Sequence, residues 1–115
     1  MDNPDGRGTL TISRMTIESD SVSFDFEGKV EGYGTVFASD TLSYIGEDRS
    51  RGRVQGEART FLEDNTLIST PHVGTFTRDG SSVTSYFSDA TNQGVVNFVI
   101  WDIDILTKAV AVRYW

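Results

Sequence analysis

His72 is the one histidine of the chain, and because there is no cysteine it is the one side chain whose ordinary pKa lies near neutrality. In an extended strand it shares a face with Ile68, Thr70, Gly74 and Phe76. Ile68 and Phe76 predict that this face is interior, and Gly74 leaves lateral room beside the ring. An imidazole there suits general acid–base work on an enclosed ligand. It suits equally a core histidine satisfied by a hydroxyl or a carbonyl. Asp102 is a second candidate, since it follows Val99-Ile100-Trp101 in the most apolar strand. Facing inward, it would lose hydration, rise in pKa and become a general acid or base. Facing outward at the start of a turn, it would stay solvated. Tyr44 is a third, a phenol able to polarise a carbonyl, and Phe24, Phe26, Phe76 and Trp101 offer flat apolar surface to a substrate or to an ordinary core.

Other chemistry lacks its residues. One imidazole and no thiolate cannot assemble a zinc site, and Asp102-Ile103-Asp104 is only a fragment of a calcium loop, so no metal and no cofactor are expected. No serine stands in a Gly-x-Ser-x-Gly elbow. Gly32-Tyr33-Gly34 is not followed by a helical pattern, so the helix N-terminus that would hold a phosphate is missing. Arg49, Arg51 and Arg53 lie beside Glu47, Asp48 and Glu57, a charge-balanced surface rather than an anion clamp. Arg59 falls on the face opposite Val54 and Ala58, outside.

The elements that must position these groups are strands. Ser21 to Glu27 alternates without fault, with Val22, Phe24 and Phe26 on one face and Ser23, Asp25 and Glu27 on the other. Gly8 to Glu18 precedes it, and Gly28, Gly32 and Gly34 mark a strand end, a turn and a bend. Further strands are predicted near Thr35–Ile45, Arg51–Leu62, Thr66–Thr77, Val83–Phe87, Val95–Asp102 and Ala109–Tyr114. Glu63-Asp64-Asn65 and Asp79-Gly80 read as hairpin turns, and Ser88 to Gly94 as a longer loop. Pro71 cannot donate a ladder hydrogen bond and marks an edge or bulge. Residues 1–7 read as an N-terminal tail and 8–115 as one domain.

Composition agrees. The chain holds 13 Thr, 11 Val and 7 Ile against 5 Leu and 5 Ala, a choice that disfavours helices and suits a pleated surface. Eight evenly spaced strands in 115 residues predict an all-β, antiparallel, eight-stranded barrel, lipocalin-like in plan, because closure removes exposed edges. Such an interior is just wide enough to be filled by side chains or to hold one small ligand. A formal net charge of −7 repels phosphate backbones and anionic lipid, so nucleic acid and membrane surfaces are poor partners. The polar opening Met1 to Gly6 is unlike a secretory leader, and the lack of cysteine suits the cytoplasm.

Three stretches carry a family resemblance: Phe26-Glu27-Gly28-Lys29-Val30-Glu31-Gly32; Tyr44-Ile45-Gly46-Glu47 with Gly52-Arg53-Val54-Gln55-Gly56; and His72-Val73-Gly74-Thr75-Phe76 followed by Asp79-Gly80. Together they resemble small bacterial proteins of the allene-oxide-cyclase-like and AttH-like β-barrels, over about residues 8–115. Trp101-Asp102-Ile103-Asp104 matches no motif of that group. The resemblance implies a barrel and raises cofactor-free isomerase or cyclase chemistry on a small hydrophobic substrate. The alternative is a non-catalytic carrier or an oligomerising scaffold, and Trp115, at the aromatic end of the chain, is expected to pack on the first strand, a barrel mouth or a second copy. An apolar chamber of roughly 300 Å³ or more, with His72 or Asp102 on its wall, separates an enclosing barrel from a filled one.

Overall fold

Alternating small or β-branched residues with apolar ones makes each segment one-sided, and a one-sided strand must bury that face against other strands. The computed structural model describes residues 3–115 and solves this by closing one sheet on itself. Its strands are β1 (Gly6–Ile17), β2 (Ser21–Val30), β3 (Gly34–Tyr44), β4 (Arg51–Phe61), β5 (Leu67–Asp79), β6 (Ser82–Ala90), β7 (Val96–Asp104) and β8 (Ala109–Tyr114). Each pairs antiparallel with its sequence neighbours, and β1 pairs with β8 from Gly6↔Tyr114 to Thr11↔Ala109 to complete an all-β, eight-stranded barrel. No helix among the described residues is long and apolar enough to cross a membrane.

Several boundaries differ from expectation, most by one residue; β7 runs on to Asp104 rather than ending at Asp102. Gly6 and Arg7, assigned by sequence to the tail, belong to β1, because the last strand needs them to close the ladder; Met1 and Asp2 lie outside the described residues. Gly28 does not end β2 but pairs with Leu10 and Val36, and the strand runs on to Val30. β5 continues to Asp79, turning at Gly80 with a φ of 61°. Ser88 to Ala90 extend β6 rather than opening the loop, paired with β7 through Ala90↔Val96. Ser13 is a bulge in β1, between the Ile12↔Phe26 and Arg14↔Asp25 pairs.

Pro71 stands where a residue without an N–H is harmless. It pairs with Glu57 of β4 on one side, whereas the β5–β6 ladder begins only at His72↔Asp89. Beyond that point Asn92 closes the seam: its N–H donates to the Ser69 carbonyl and its Oδ1 accepts from the Ser69 N–H.

The inward faces form one core. Phe24, Phe26, Phe76, Leu10, Leu42, Val54 and Val110 are fully buried, and each large apolar side chain contributes about 1.5–3 kcal/mol by leaving water. Antiparallel order sorts the turns between two ends. The terminal end carries both chain ends and the β2–β3, β4–β5 and β6–β7 turns; the far end carries the other four.

Candidate functional site

Alternation along β3 puts Val36, Ala38, Asp40, Leu42 and Tyr44 on the inner face, so a carboxylate sits in an otherwise apolar row. β5 points Ile68, Thr70, His72, Gly74 and Phe76 inward, as its sequence predicts. Register then lines up Asp40↔Gly56 and Gly56↔His72 across β3, β4 and β5. Asp40 and His72 are therefore two strands apart with only a glycine between. Across that gap His72 Nε2 and Asp40 Oδ1 lie 2.5 Å apart, with both side chains about 1 % exposed. A side chain on Gly56 would end the contact, since its Cβ would lie 2.1 Å from Asp40 Oδ1 and 2.2 Å from the Ser39 carbonyl oxygen.

The same level of the barrel continues as His72↔Asp89 and Asp89↔Asn97. Five strands thus contribute one row: Asp40, Gly56, His72, Asp89 and Asn97. The Asn97 amide donates to Asp89 Oδ1 at 3.1 Å and to the Tyr33 hydroxyl oxygen at 3.0 Å. The His72 ring stacks on Phe87, with centroids 4.3 Å apart, and meets the edge of Trp101 at 5.7 Å. Packing on two rings and a hydrogen bond to a third group leave the imidazole little rotational freedom.

Burial dominates the electrostatics. It pushes the Asp40 carboxyl above the ordinary carboxylate range, against the opposing pull of the His72 hydrogen bond and charge, and Asp40 Oδ2 meets no protein donor. Burial also raises Asp89, with the Asn97 amide pulling the other way. With Nε2–H donating to Asp40 Oδ1, the neutral imidazole keeps a free lone pair on Nδ1. Nε2 is committed to Asp40, so Nδ1 is the nitrogen left to meet a molecule.

The His72 ring borders a space that such a molecule can enter. A chamber of about 60 Å³ lies at the terminal end, walled by His72, Phe87, Trp101, Asp89 and Asn97, with Tyr33 and Tyr114 at the mouth. That is well below the 300 Å³ needed to enclose a whole ligand; it takes a few heavy atoms. A larger trough of about 930 Å³ runs along the outer wall over Gln55, Pro71 and Val73, but it is an open surface depression lined mainly by outward side chains.

The sequence-selected residues divide accordingly. His72 and Trp101 line the chamber. Phe26 touches Trp101 edge-on at 5.0 Å and Phe24 at 5.7 Å, so these two back the site from the core. Phe76 and Tyr44 pair at 5.9 Å toward the far end, with Arg49 over the Tyr44 ring, and Tyr44 is not brought to His72. Asp102 lies on the outer face, exposed, accepting from Arg113 Nη2 at 3.0 Å and Thr84 Oγ1 at 3.3 Å. The inward orientation entertained for it does not occur, because Trp101 and Ile103 take the inward positions on either side. Arg59 is outside, paired with Glu57. Asp40, Asp89, Asn97, Tyr33 and Tyr114 were not selected from sequence. Asp40 had a readable signal, an acid in phase with Val36, Ala38 and Leu42, whereas the others depend on register.

Among the described residues no group of three or more His, Cys, Asp or Glu is placed to hold a metal ion. In comparison with known proteins, the chain matches no family model, no curated protein and no solved structure.

Proposed function

We propose that this barrel binds a small molecule at its terminal end and performs cofactor-free proton transfer on it, as an isomerase. The observation that supports this reading is the Asp40–His72 pair, held over Gly56 with the imidazole on the wall of an internal chamber. When His72 Nδ1 takes a proton, Asp40 stabilises the charge that forms and keeps the ring oriented. The chamber volume suits one functional group of a ligand whose apolar remainder leaves past Tyr33 and Tyr114. It suits proton abstraction and return at one end of a molecule better than ring closure of an enclosed chain, so isomerisation is preferred to cyclisation. The test is deuterium exchange α to the carbonyl of small ketones and enones in D₂O, followed by proton NMR. The wild-type protein should accelerate exchange, and His72→Gln should fold normally yet lose at least about 100-fold of that acceleration. Exchange at the buffer rate, or undiminished in the variant, overturns the proposal.

The small lumen also favours a second reading, a barrel that serves as a packed scaffold. Ala58 lines the chamber and is buried, so Ala58→Val decides between them. In a scaffold the added methyls fill space and stabilise by about 1 kcal/mol with nothing lost. In a binding barrel the same change abolishes ligand-dependent shifts of the Trp101 indole signal.

A further inference from the structure

We infer that the chamber is built for the head group of a small organic cation, a primary ammonium carried beside the reacting carbonyl on an apolar tail. This rests on the reading of the chamber as a ligand site and names what enters it. The wall holds a carboxylate, Asp89, and no lysine or arginine. Among the described residues Asp89 makes no salt bridge; its hydrogen-bond donor is the neutral amide of Asn97. At this level of the barrel two carboxylates, Asp40 and Asp89, face one base, His72, which is already paired with Asp40. The inner row is therefore short of one positive charge, and a half-buried carboxylate without a salt-bridge partner is the feature an entering cation completes.

Three further observations agree. The chamber walls are aromatic faces and edges, from Phe87, Trp101, Tyr33 and Tyr114, which attract cations through their ring quadrupoles. The polar groups beside them, the hydroxyls of Thr60 and Thr70 and the Tyr33 oxygen, offer acceptors to the three N–H bonds of a primary ammonium. The mouth has the matching field. The segments framing the terminal end, 3–5, 31–33, 62–66 and 91–95, carry Asp5, Glu31, Glu63 and Asp64, and the adjoining strand ends add Arg7 and Lys29, which leaves the rim net negative. Acidic loops around a low-dielectric opening concentrate cations at the mouth and repel anions.

The experiment titrates the protein at pH 7 and constant ionic strength with three probes of equal length, n-butylammonium, 1-butanol and butyrate, following the Trp101 indole N–H by NMR. The ammonium should bind about tenfold to a hundredfold more tightly than the alcohol, the range of a hydrogen bond to a charged group, and butyrate should not bind. Asp89→Asn should erase the preference while leaving butanol binding in place. Asp102→Asn, which removes an exposed carboxylate of the outer face, should keep the ammonium preference, so that the seat and not the overall charge of the chain reads the cation. Alcohol binding as tight as ammonium binding, or a preference that survives Asp89→Asn, overturns the inference and leaves the ligand-binding reading standing. If none of the three probes moves the signal, both fall.

Discussion

Asp40→Asn tests whether burial or the histidine controls the central carboxyl. Asparagine has the same shape and still offers a hydrogen bond to His72, so the change removes the titration and little else. Burial holds the Asp40 carboxyl above its ordinary value of 3.8. Its protonated form is therefore favoured by folding, and the stability it contributes is fully present below the ordinary aspartate range and lost as pH rises through the raised value. One extra proton held by the folded chain gives a limiting slope of about 1.4 kcal/mol per pH unit. With an unfolding entropy of about 2.1 cal/mol/K per residue, a chain of 115 residues converts this to about 6 °C in Tm per pH unit. Asp48 and Asp64 act in the opposite sense, held low at their turns by the backbone amides of Ser50 and Thr66, but they titrate alike in both proteins. The quantity to measure is thus the difference between wild type and variant in thermal melts from pH 3 upward. Wild type should lose stability relative to Asp40→Asn as pH rises above 4. A flat difference, or wild type gaining on the variant, would show that the His72 interaction outweighs desolvation and that the assignment of causes is inverted.

Gly56→Ala should destabilise by about 1–3 kcal/mol, since its methyl would occupy the space of Asp40 Oδ1 and press on the Ser39 carbonyl. The His72 ring signals should shift as the pair separates, and an unchanged spectrum with unchanged urea midpoint would refute the geometry. Removing Trp115 should cost about 1–3 kcal/mol in urea unfolding, because it exchanges two backbone hydrogen bonds with Phe98 and lays its ring 6.0 Å from that phenyl; a loss under 0.5 kcal/mol would sink that account. The contact places Trp115 on the outer face of β7, while Tyr114 pairs with Gly6 of β1 and stands at the mouth.

The barrel was legible because its evidence is local. Each of Val22-Ser23-Phe24-Asp25-Phe26, the Asp79-Gly80 turn and the β-branched composition speaks within a few residues, and closure follows from counting strands. The inward position of His72 was legible for the same reason. Boundaries were less so: Gly28 reads as punctuation, yet it lies inside β2 because a Cβ there would press on the Thr9 carbonyl, a demand made by the neighbouring strand. Asp102 shows the complementary error. A run of apolar neighbours, Val99-Ile100-Trp101, suggested burial, but in a strand only every second residue points in, and Trp101 had already claimed the inner position.

The site itself belongs to no single strand. Asp40, His72 and Asp89 are 32 and 17 positions apart along the chain and become one row only when five strands take a particular register. A slip of one residue in β4 would replace Gly56 at that level by Gln55 or Glu57 and turn those side chains into the lumen. Gly56, the last residue of the Gly52-Arg53-Val54-Gln55-Gly56 stretch, is thus the residue that lets a carboxylate and an imidazole meet across a strand. Apolar residues would fill the same volume without the desolvation that lifts Asp40 and Asp89. At neutral pH the polar belt at the middle of the barrel carries a desolvation cost that an apolar core would not, and that cost is what supports the proposal of a site there.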